Sequence, residues 1–320
     1  MLSARSNTGA NKIKILDVGV AQHQGPRPYQ EDRYIILPPG QFVGQSNGNL
    51  GLYAVLDGHG GAETVDFIRR QLPNILGSEI SSSKNDISNA VHQSMKRVDA
   101  ELIKKGMGRQ QGSTAVLAFI DVAQGTMHTA DLGDSYIVVA EEIAQKPGEF
   151  NVRRLSKAQK PEQESEKRRI EAAGGHVLNE YGAHRVEGSV AMSRALGDLD
   201  FKAETKKDNE GLTRKMTSKL GQKDGPFTDG AEETNGDMIS NKPHFQSMTL
   251  TSSKRSVVLL ASDGLGEEKD AKTAMAWACN QWKEGWSAFD IADALTKRSS
   301  KKMTSDNSTA VVLFIERCGT

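Results

Sequence analysis

The sequence predicts an α+β fold with antiparallel sheets. Short β-prone runs recur along the whole chain, at residues 52–56, 126–132, 257–262 and 309–315, and stretches with apolar residues at helical spacing interrupt them in groups. Turn dipeptides such as Gly133-Asp134 sit between runs, and no internal repeat is visible.

Residues 1–12 are polar and expected to fray. Residues 13–21 alternate apolar and polar side chains as a strand does, and 34–37 extend as a second. The chain is organised around Leu52-Tyr53-Ala54-Val55-Leu56-Asp57-Gly58-His59-Gly60-Gly61. A buried strand that stops on Asp-Gly brings that carboxylate to the rim of a sheet, and the glycines let another chain, an ion or a phosphate approach the backbone. Residues 62–72 follow as a helix with Val65, Ile68 and Leu72 on one face. Asp86 caps a second helix, in which Val91, Met95, Val98 and Leu102 recur at helical spacing up to Gly106. Residues 112–120, 126–132 and 135–140 read as three strands, the last two joined as a hairpin by Gly133-Asp134. Pro161 opens a third helix that closes at Gly174-Gly175. Residues 257–262 form a further buried strand that again ends on Asp-Gly, here Asp263-Gly264. Ser287 and Asp290 make a capping pair for a helix carrying Ala288, Ile291 and Leu295, and 309–315 is the last strand. Residues 202–242 are rich in Lys, Glu, Asp, Thr and Gly; they are too polar to bury a core and read as a surface excursion.

Composition narrows the function classes. The 320 residues are 37% hydrophobic, enough for a sizeable core, and 41 basic residues balance 41 acidic ones. That balance points to neither nucleic acid nor a membrane surface as partner. No apolar run approaches the ~20 residues of a membrane span. Cys279 and Cys318 form neither a metal spacing nor a disulfide framework, which fits a reducing compartment. The first residues contain no apolar leader, Leu2 is not the glycine of an acylation signal, and Cys318 is third from the end, the wrong place for prenylation. The chain is expected to be soluble, in the cytoplasm, the nucleus or both.

Acidic residues keep appearing at strand ends: Glu31-Asp32 before 34–37, Asp57 after 52–56, Asp134 between two strands, Asp263 after 257–262, and Asp306 before the last strand. Each dipeptide taken alone is an ordinary turn. If the strand ends gather at one rim, carboxylates that close must take up protons or bind cations. All-oxygen donors suit a hard ion such as Mg²⁺ or Mn²⁺, and no His or Cys spacing argues for zinc. Two such ions bridged by a carboxylate can hydrolyse a phosphate ester.

In order and in kind these motifs resemble the metal-dependent serine/threonine protein phosphatases of type 2C. The matching series runs from Arg27 and Glu31-Asp32 through Asp57-Gly58-His59-Gly60-Gly61, Gly112-Ser113-Thr114-Ala115 and Gly133-Asp134-Ser135. It continues with Lys160-Pro161, Arg185-Val186-Glu187-Gly188 and Met192-Ser193-Arg194-Ala195-Leu196-Gly197-Asp198, and closes with Ala261-Ser262-Asp263-Gly264-Leu265 and Asp306-Asn307. The resemblance implies a four-layer sandwich, two central antiparallel sheets flanked by pairs of helices. It implies one catalytic domain over 1–320, with 199–245 as a flap-like excursion. The substrates would be phosphoproteins, hydrolysed at phosphoserine or phosphothreonine by a metal-bridging hydroxide with no phosphoenzyme, and the chain would act as a monomer.

Carried over by resemblance, two core Mg²⁺ or Mn²⁺ ions would be held by Asp57, Gly58 through its carbonyl, Glu31, Asp263 and Asp306. Asp32 would orient the attacking water, Arg27 would grip the phosphate, and His59 would protonate the departing oxygen. Asp134 and Glu267 would serve a weaker third ion. The chain departs from the family at Ala158-Gln159, where Asp-His is usual, and at Gly266-Glu267, where Trp-Asp is usual. These departures motivate the alternative of a pseudophosphatase that uses the fold as a protein-binding module.

Overall fold

Leu50–Leu56 forms strand β3, and all seven of its residues are buried. Side chains alternate across a strand, so a run buried throughout needs cover on both faces. Leu52, Ala54 and Leu56 enter a cluster with two helices, whereas Tyr53 and Val55 enter a different cluster with a facing sheet. The computed structural model describes residues 12–42, 48–203, 236–250, 254–266, 268–299 and 306–318.

The sheet containing β3 is ordered β13-β7-β6-β3-β2, with β2 Arg33–Leu37, β6 Ala115–Asp121, β7 Thr126–Leu132 and β13 His244–Thr249. The second is ordered β1-β15-β14-β8-β9, with β1 Ile13–His23, β8 Tyr136–Glu142, β9 Phe150–Arg154, β14 Arg255–Ala261 and β15 Ser308–Arg317. Every pairing within the two is antiparallel. Val116, Ala118 and Ile120 of the first sheet meet Val258, Leu260, Val311 and Leu313 of the second between them. Their alternate neighbours, Val257, Leu259, Val312 and Phe314, turn outward to helices α4 (Glu268–Lys283) and α5 (Ala288–Ser299). Helices α1 (Ala62–Ser82) and α2 (Ile87–Lys105) cover the first sheet. The four layers of the expected sandwich are therefore present.

Helix ends follow their sequence signals with two exceptions. Asp86 accepts a hydrogen bond from the Asn89 amide at 3.0 Å, and Gly106 closes α2 in the left-handed conformation. Ser287 and Asp290 exchange hydrogen bonds at 2.6 and 3.1 Å. Helix α1 does not stop at Leu72: it runs through Pro73, because Ile75, Leu76 and Ile80 beyond the proline are buried. The third helix, α3, starts at Glu164, three residues after Pro161.

The hairpin expected at Gly133-Asp134 is absent. β7 and β8 lie in different sheets, so this dipeptide carries the chain across the sandwich. Local turn chemistry was compatible with either route, and the partners β6 for β7 and β14 for β8 decide it. The 112–120 run divides at Thr114 into β5 (Gly112–Ser113) and β6. β5 joins β4 (Gly58–His59) and β12 (Leu196–Gly197) in a small three-stranded sheet. A separate hairpin pairs β10 (Val177–Glu180) with β11 (Ala183–Val186). Of the 202–242 excursion and the wider 199–245 flap, residues 204–235 lie outside the described residues, as does Glu267. Among the described residues no helix is long and apolar enough to cross a membrane.

Candidate active site

Strand register gathers the acidic residues. Arg33 opposes Leu56, so Asp32 and Asp57 leave the first sheet at the same end. Ala261 opposes Ala310, so Asp263 and Asp306 leave the second sheet together. The two ends are joined across the sandwich: Ser262 Oγ and Thr309 Oγ1 donate to Asp32 Oδ2 at 2.8 and 2.7 Å. A cavity of about 730 Å³ opens beside Arg27, Asp263 and Asp306 and runs between α4 and α5 past Leu265, Trp277 and Leu295.

The carboxyls feel one another. Burial pushes Asp57 well above the usual carboxylate range, and the charges of Asp32, Asp263, Asp134 and Asp306 add to it. Burial raises Asp32 to about 7 against the Thr309 and Ser262 hydrogen bonds, with Asp263 and Asp306 contributing to the rise. Asp134 also reaches about 7 through burial and Asp263, opposed by Lys160. Asp263 is raised by burial and by Asp306, and a hydrogen bond with Asp57 pulls it back. Burial and like charge favour the protonated form of such a group, and a cation bound beside it would favour the ionised form.

Among the described residues no three His, Cys, Asp or Glu side chains form a ready-made ion cage. The donor chemistry nevertheless suits hard cations: oxygens on opposed strand ends, and an Asp32 Oδ1 that is buried with no hydrogen-bond partner among the described residues.

The loop before β2 is tied to the end of β15. Asn307 Oδ1 accepts the Glu31 amide at 2.7 Å, and its Nδ2 donates to the carbonyls of Gln24 and Tyr29 at 2.8 and 3.0 Å. Arg27 Nη2 donates to Asp306 Oδ2 at 2.6 Å, in an exposed pair. Gly58 is buried against the Glu31 carbonyl. Asn307 is thus a hub, although the sequence reading placed it only within a motif and gave it no task. Gly264 makes the arrangement possible: a Cβ there would lie 1.8 Å from the Asn307 carbonyl oxygen. Gly264→Ala is expected to cost roughly 1–3 kcal/mol of stability, as overpacking does, and to displace Asp263 from Asp306. Denaturant midpoint and activity should fall together; a variant as stable and active as wild type would contradict this.

His59 has a partner that the sequence reading missed. Its Nε2 lies 2.8 Å from Asp198 Oδ2 and 3.0 Å from Oδ1, and Asp198 is fully buried. Burial lowers the imidazole pKa, but the charge and hydrogen bond of Asp198, with Asp134 and Glu31 behind them, outweigh it and raise the pKa above its ordinary value. Nδ1 is buried and has no hydrogen-bond partner among the described residues. Gly112 passes between the two: a Cβ there would sit 2.3 Å from Asp198 Oδ2 and 2.8 Å from His59 Nε2. The available signal was an acid following Leu196-Gly197, but spacing does not say which distant strand it will meet.

The departure at Gln159 has a structural account. Its side chain accepts the Gly133 amide at 2.7 Å and donates to the Asp131 carbonyl at 3.3 Å, steadying the crossing that carries Asp134.

The sandwich recurs in phosphatases of known structure. A serine-threonine phosphatase 2C from Toxoplasma gondii superimposes with TM-score 0.68 over 96% of this chain and 98% of that one, at 20% identity, a likeness of fold alone. A C. elegans sex-determining protein superimposes with TM-score 0.66 over 94% of this chain and 65% of that one, at 28% identity. A sequence model of protein phosphatase 2C matches residues 16–308, and the chain belongs to that family. "Protein phosphatase 2C homolog 2" of Schizosaccharomyces pombe is 31% identical over 64% of this chain and 52% of its own length. Human "Protein phosphatase 1F" is 31% identical over 62% and 42%. The chain thus spans about half or less of these curated relatives.

Proposed function

We propose that the chain is a Mg²⁺- or Mn²⁺-dependent protein phosphatase acting on phosphoserine and phosphothreonine. The observation that carries this reading is the set of buried, mutually raised carboxyls of Asp32, Asp57, Asp134 and Asp263 at the rim beside Arg27. Family membership supports it. Asp57, Asp263, Asp306, Glu31 and the Gly58 carbonyl would hold two ions, and Asp134 would contribute to a weaker third. Bound there, the ions would neutralise phosphate charge and ease ionisation of water.

The chain's own groups supply the rest. Arg27 is exposed and can exchange Asp306 for two phosphate oxygens. Asp32 Oδ1 has no hydrogen-bond partner among the described residues and would orient the attacking water. As the phosphorus–oxygen ester bond breaks, the seryl or threonyl oxygen takes a proton from His59, whose Nδ1 is free of Asp198. No cysteine is needed: burial pushes the Cys279 thiol up to about 12.

We further read the chain as one catalytic domain, with 199–245 as a flap-like excursion within it. Its setting would be the cytosol or nucleus, its state monomeric and its substrates phosphoproteins; the balanced charge and two free cysteines support that placement.

The test is hydrolysis of a phosphoserine peptide with Mn²⁺, with Mg²⁺ and with EDTA. Turnover is expected with the metals only; equal turnover in EDTA sinks the reading, and so does a folded, metal-loaded protein with none, the result a silent binding module would give. Arg27→Ala is expected to raise KM about 10- to 100-fold, from losing a charged hydrogen bond of roughly 1.5–3 kcal/mol. An unchanged KM would remove Arg27 from phosphate binding.

A further inference from the structure

Asp99 is a buried acid on α2, remote in sequence from every residue placed in the reaction, and its carboxylate is the acceptor for three donors. Oδ1 takes the Gly197 amide at 2.9 Å, and Oδ2 takes Lys202 Nζ at 2.5 Å and Asn241 Nδ2 at 2.7 Å. Lys202 Nζ also donates to the Ala195 carbonyl at 2.9 Å. The ion pair thus brackets residues 195–202 from both ends, and Asp198 lies inside the bracket. Asn241 reaches the same carboxylate from the far side of segment 204–235.

That bracket controls an awkward piece of backbone. Asp198 has φ +49°, a left-handed conformation that a residue with a side chain adopts only when its surroundings hold it there. Its amide is held by the Gln111 carbonyl at 3.0 Å, and the amide one residue before it is the one held by Asp99. The conformation aims the Asp198 carboxylate across Gly112 at His59. Burying Asp99 and Lys202, each about 5% exposed in its side chain, is a poor way to gain stability, because desolvation offsets the attraction. Fixing a geometry is what such a pair does well.

We propose that Asp99 is a positioning residue for the reaction, holding Asp198, and through it His59, in the orientation that delivers a proton to the leaving oxygen. This rests on the phosphatase reading of the site. The chemistry gives a readout that general loosening does not share. An alkyl phosphate such as phosphoserine leaves as a strongly basic alkoxide and needs that proton, whereas 4-nitrophenyl phosphate leaves as a weakly basic phenolate and does not. Arg27, paired with Asp306, is untouched.

In the full chain with Mn²⁺, Asp99→Asn is expected to lower kcat on a phosphoserine peptide roughly tenfold or more with KM unchanged, and to leave 4-nitrophenyl phosphate within about threefold of wild type. Asp99→Asn takes the Asp99 carboxylate away from Lys202 and can fail to fold. The double variant Asp99→Asn/Lys202→Met removes both charges at similar volume, and the same split between substrates is expected of it. Equal losses on both substrates, or a wild-type ratio between them in the folded double variant, overturn the assignment. A wild-type protein inactive on both overturns the phosphatase reading and the assignment with it.

Discussion

Asp57→Asn is expected to abolish metal-dependent hydrolysis while making the metal-free protein harder to unfold. The carboxylate lies where four others act on it, and burial plus the charges of Asp32, Asp263, Asp134 and Asp306 oppose its ionisation. Cations held at this rim would reverse that penalty, and removing a carboxylate proposed to hold them would forfeit several kcal/mol of transition-state stabilisation. The turnover loss should be ~10³-fold or more. Without metal the same substitution removes the burial penalty and the repulsion that a carboxylate meets here, set against its hydrogen bond with Asp263, so the thermal midpoint should rise, a trade of activity against stability expected where like charges are held together for function. The two signs are measured on one protein sample, by phosphopeptide turnover and by thermal unfolding in EDTA. Retained activity, or a midpoint that falls in EDTA, would show that Asp57 is not at the centre of the acidic group.

Glu166→Gln is expected to give the largest stability loss outside the rim. Glu166 is buried and serves two buried guanidiniums: Arg194 reaches Oε1 at 2.5 Å and Arg169 reaches Oε2 at 3.0 Å. Each arginine then fixes backbone, Arg169 at the carbonyls of Ser193 and Asp237 and Arg194 at that of Lys242. Burial alone would raise the Glu166 pKa, but the hydrogen bonds and charge of Arg194, with Arg169, bring it down to about 2. A neutral amide removes the carboxylate that both buried guanidiniums share, at a cost of about 3–5 kcal/mol.

The pH dependence has a definite sign. A folded pKa below the ordinary 4.5 means the carboxylate's contribution is fully present above 4.5 and is lost as pH falls through about 2. The gap between wild type and variant in denaturant unfolding should therefore be widest near neutrality and close in acid. A gap that persists unchanged in acid would assign the loss to packing rather than charge.

The legible parts of this fold share a cause. Residues 52–57 and 257–263 are apolar runs terminated by Asp-Gly, and a strand covered on both faces has to look that way, so both acids were visible at strand ends. Asp86, Gly106, Ser287 and Asp290 act within four residues of themselves, which is why their caps could be read. β13 escaped notice because it is an edge strand of mixed exposure with no period to follow. The Gly133-Asp134 crossing and the pairings of His59 with Asp198 and of Asn307 with Glu31 depend on which elements become neighbours. Periodicity says which face of an element is buried but is silent on its partner, and the ordered series of motifs stood in for that missing information.

The placement of β15 bears on how the molecule comes into being. This last strand is not at an edge: it lies between β1 and β14, and its first residues carry the Ser262 and Asp32 contacts that join the two sheets. A ribosome delivers it after everything it must separate. Until residue 317 has cleared the exit tunnel, β1 and β14 have no common neighbour, and the nascent chain holds an exposed, β-prone gap of the kind chaperones recognise. The same order of events brings Asp306 and Asn307 to the rim only after Asp32, Asp57, Asp134 and Asp263 have been made.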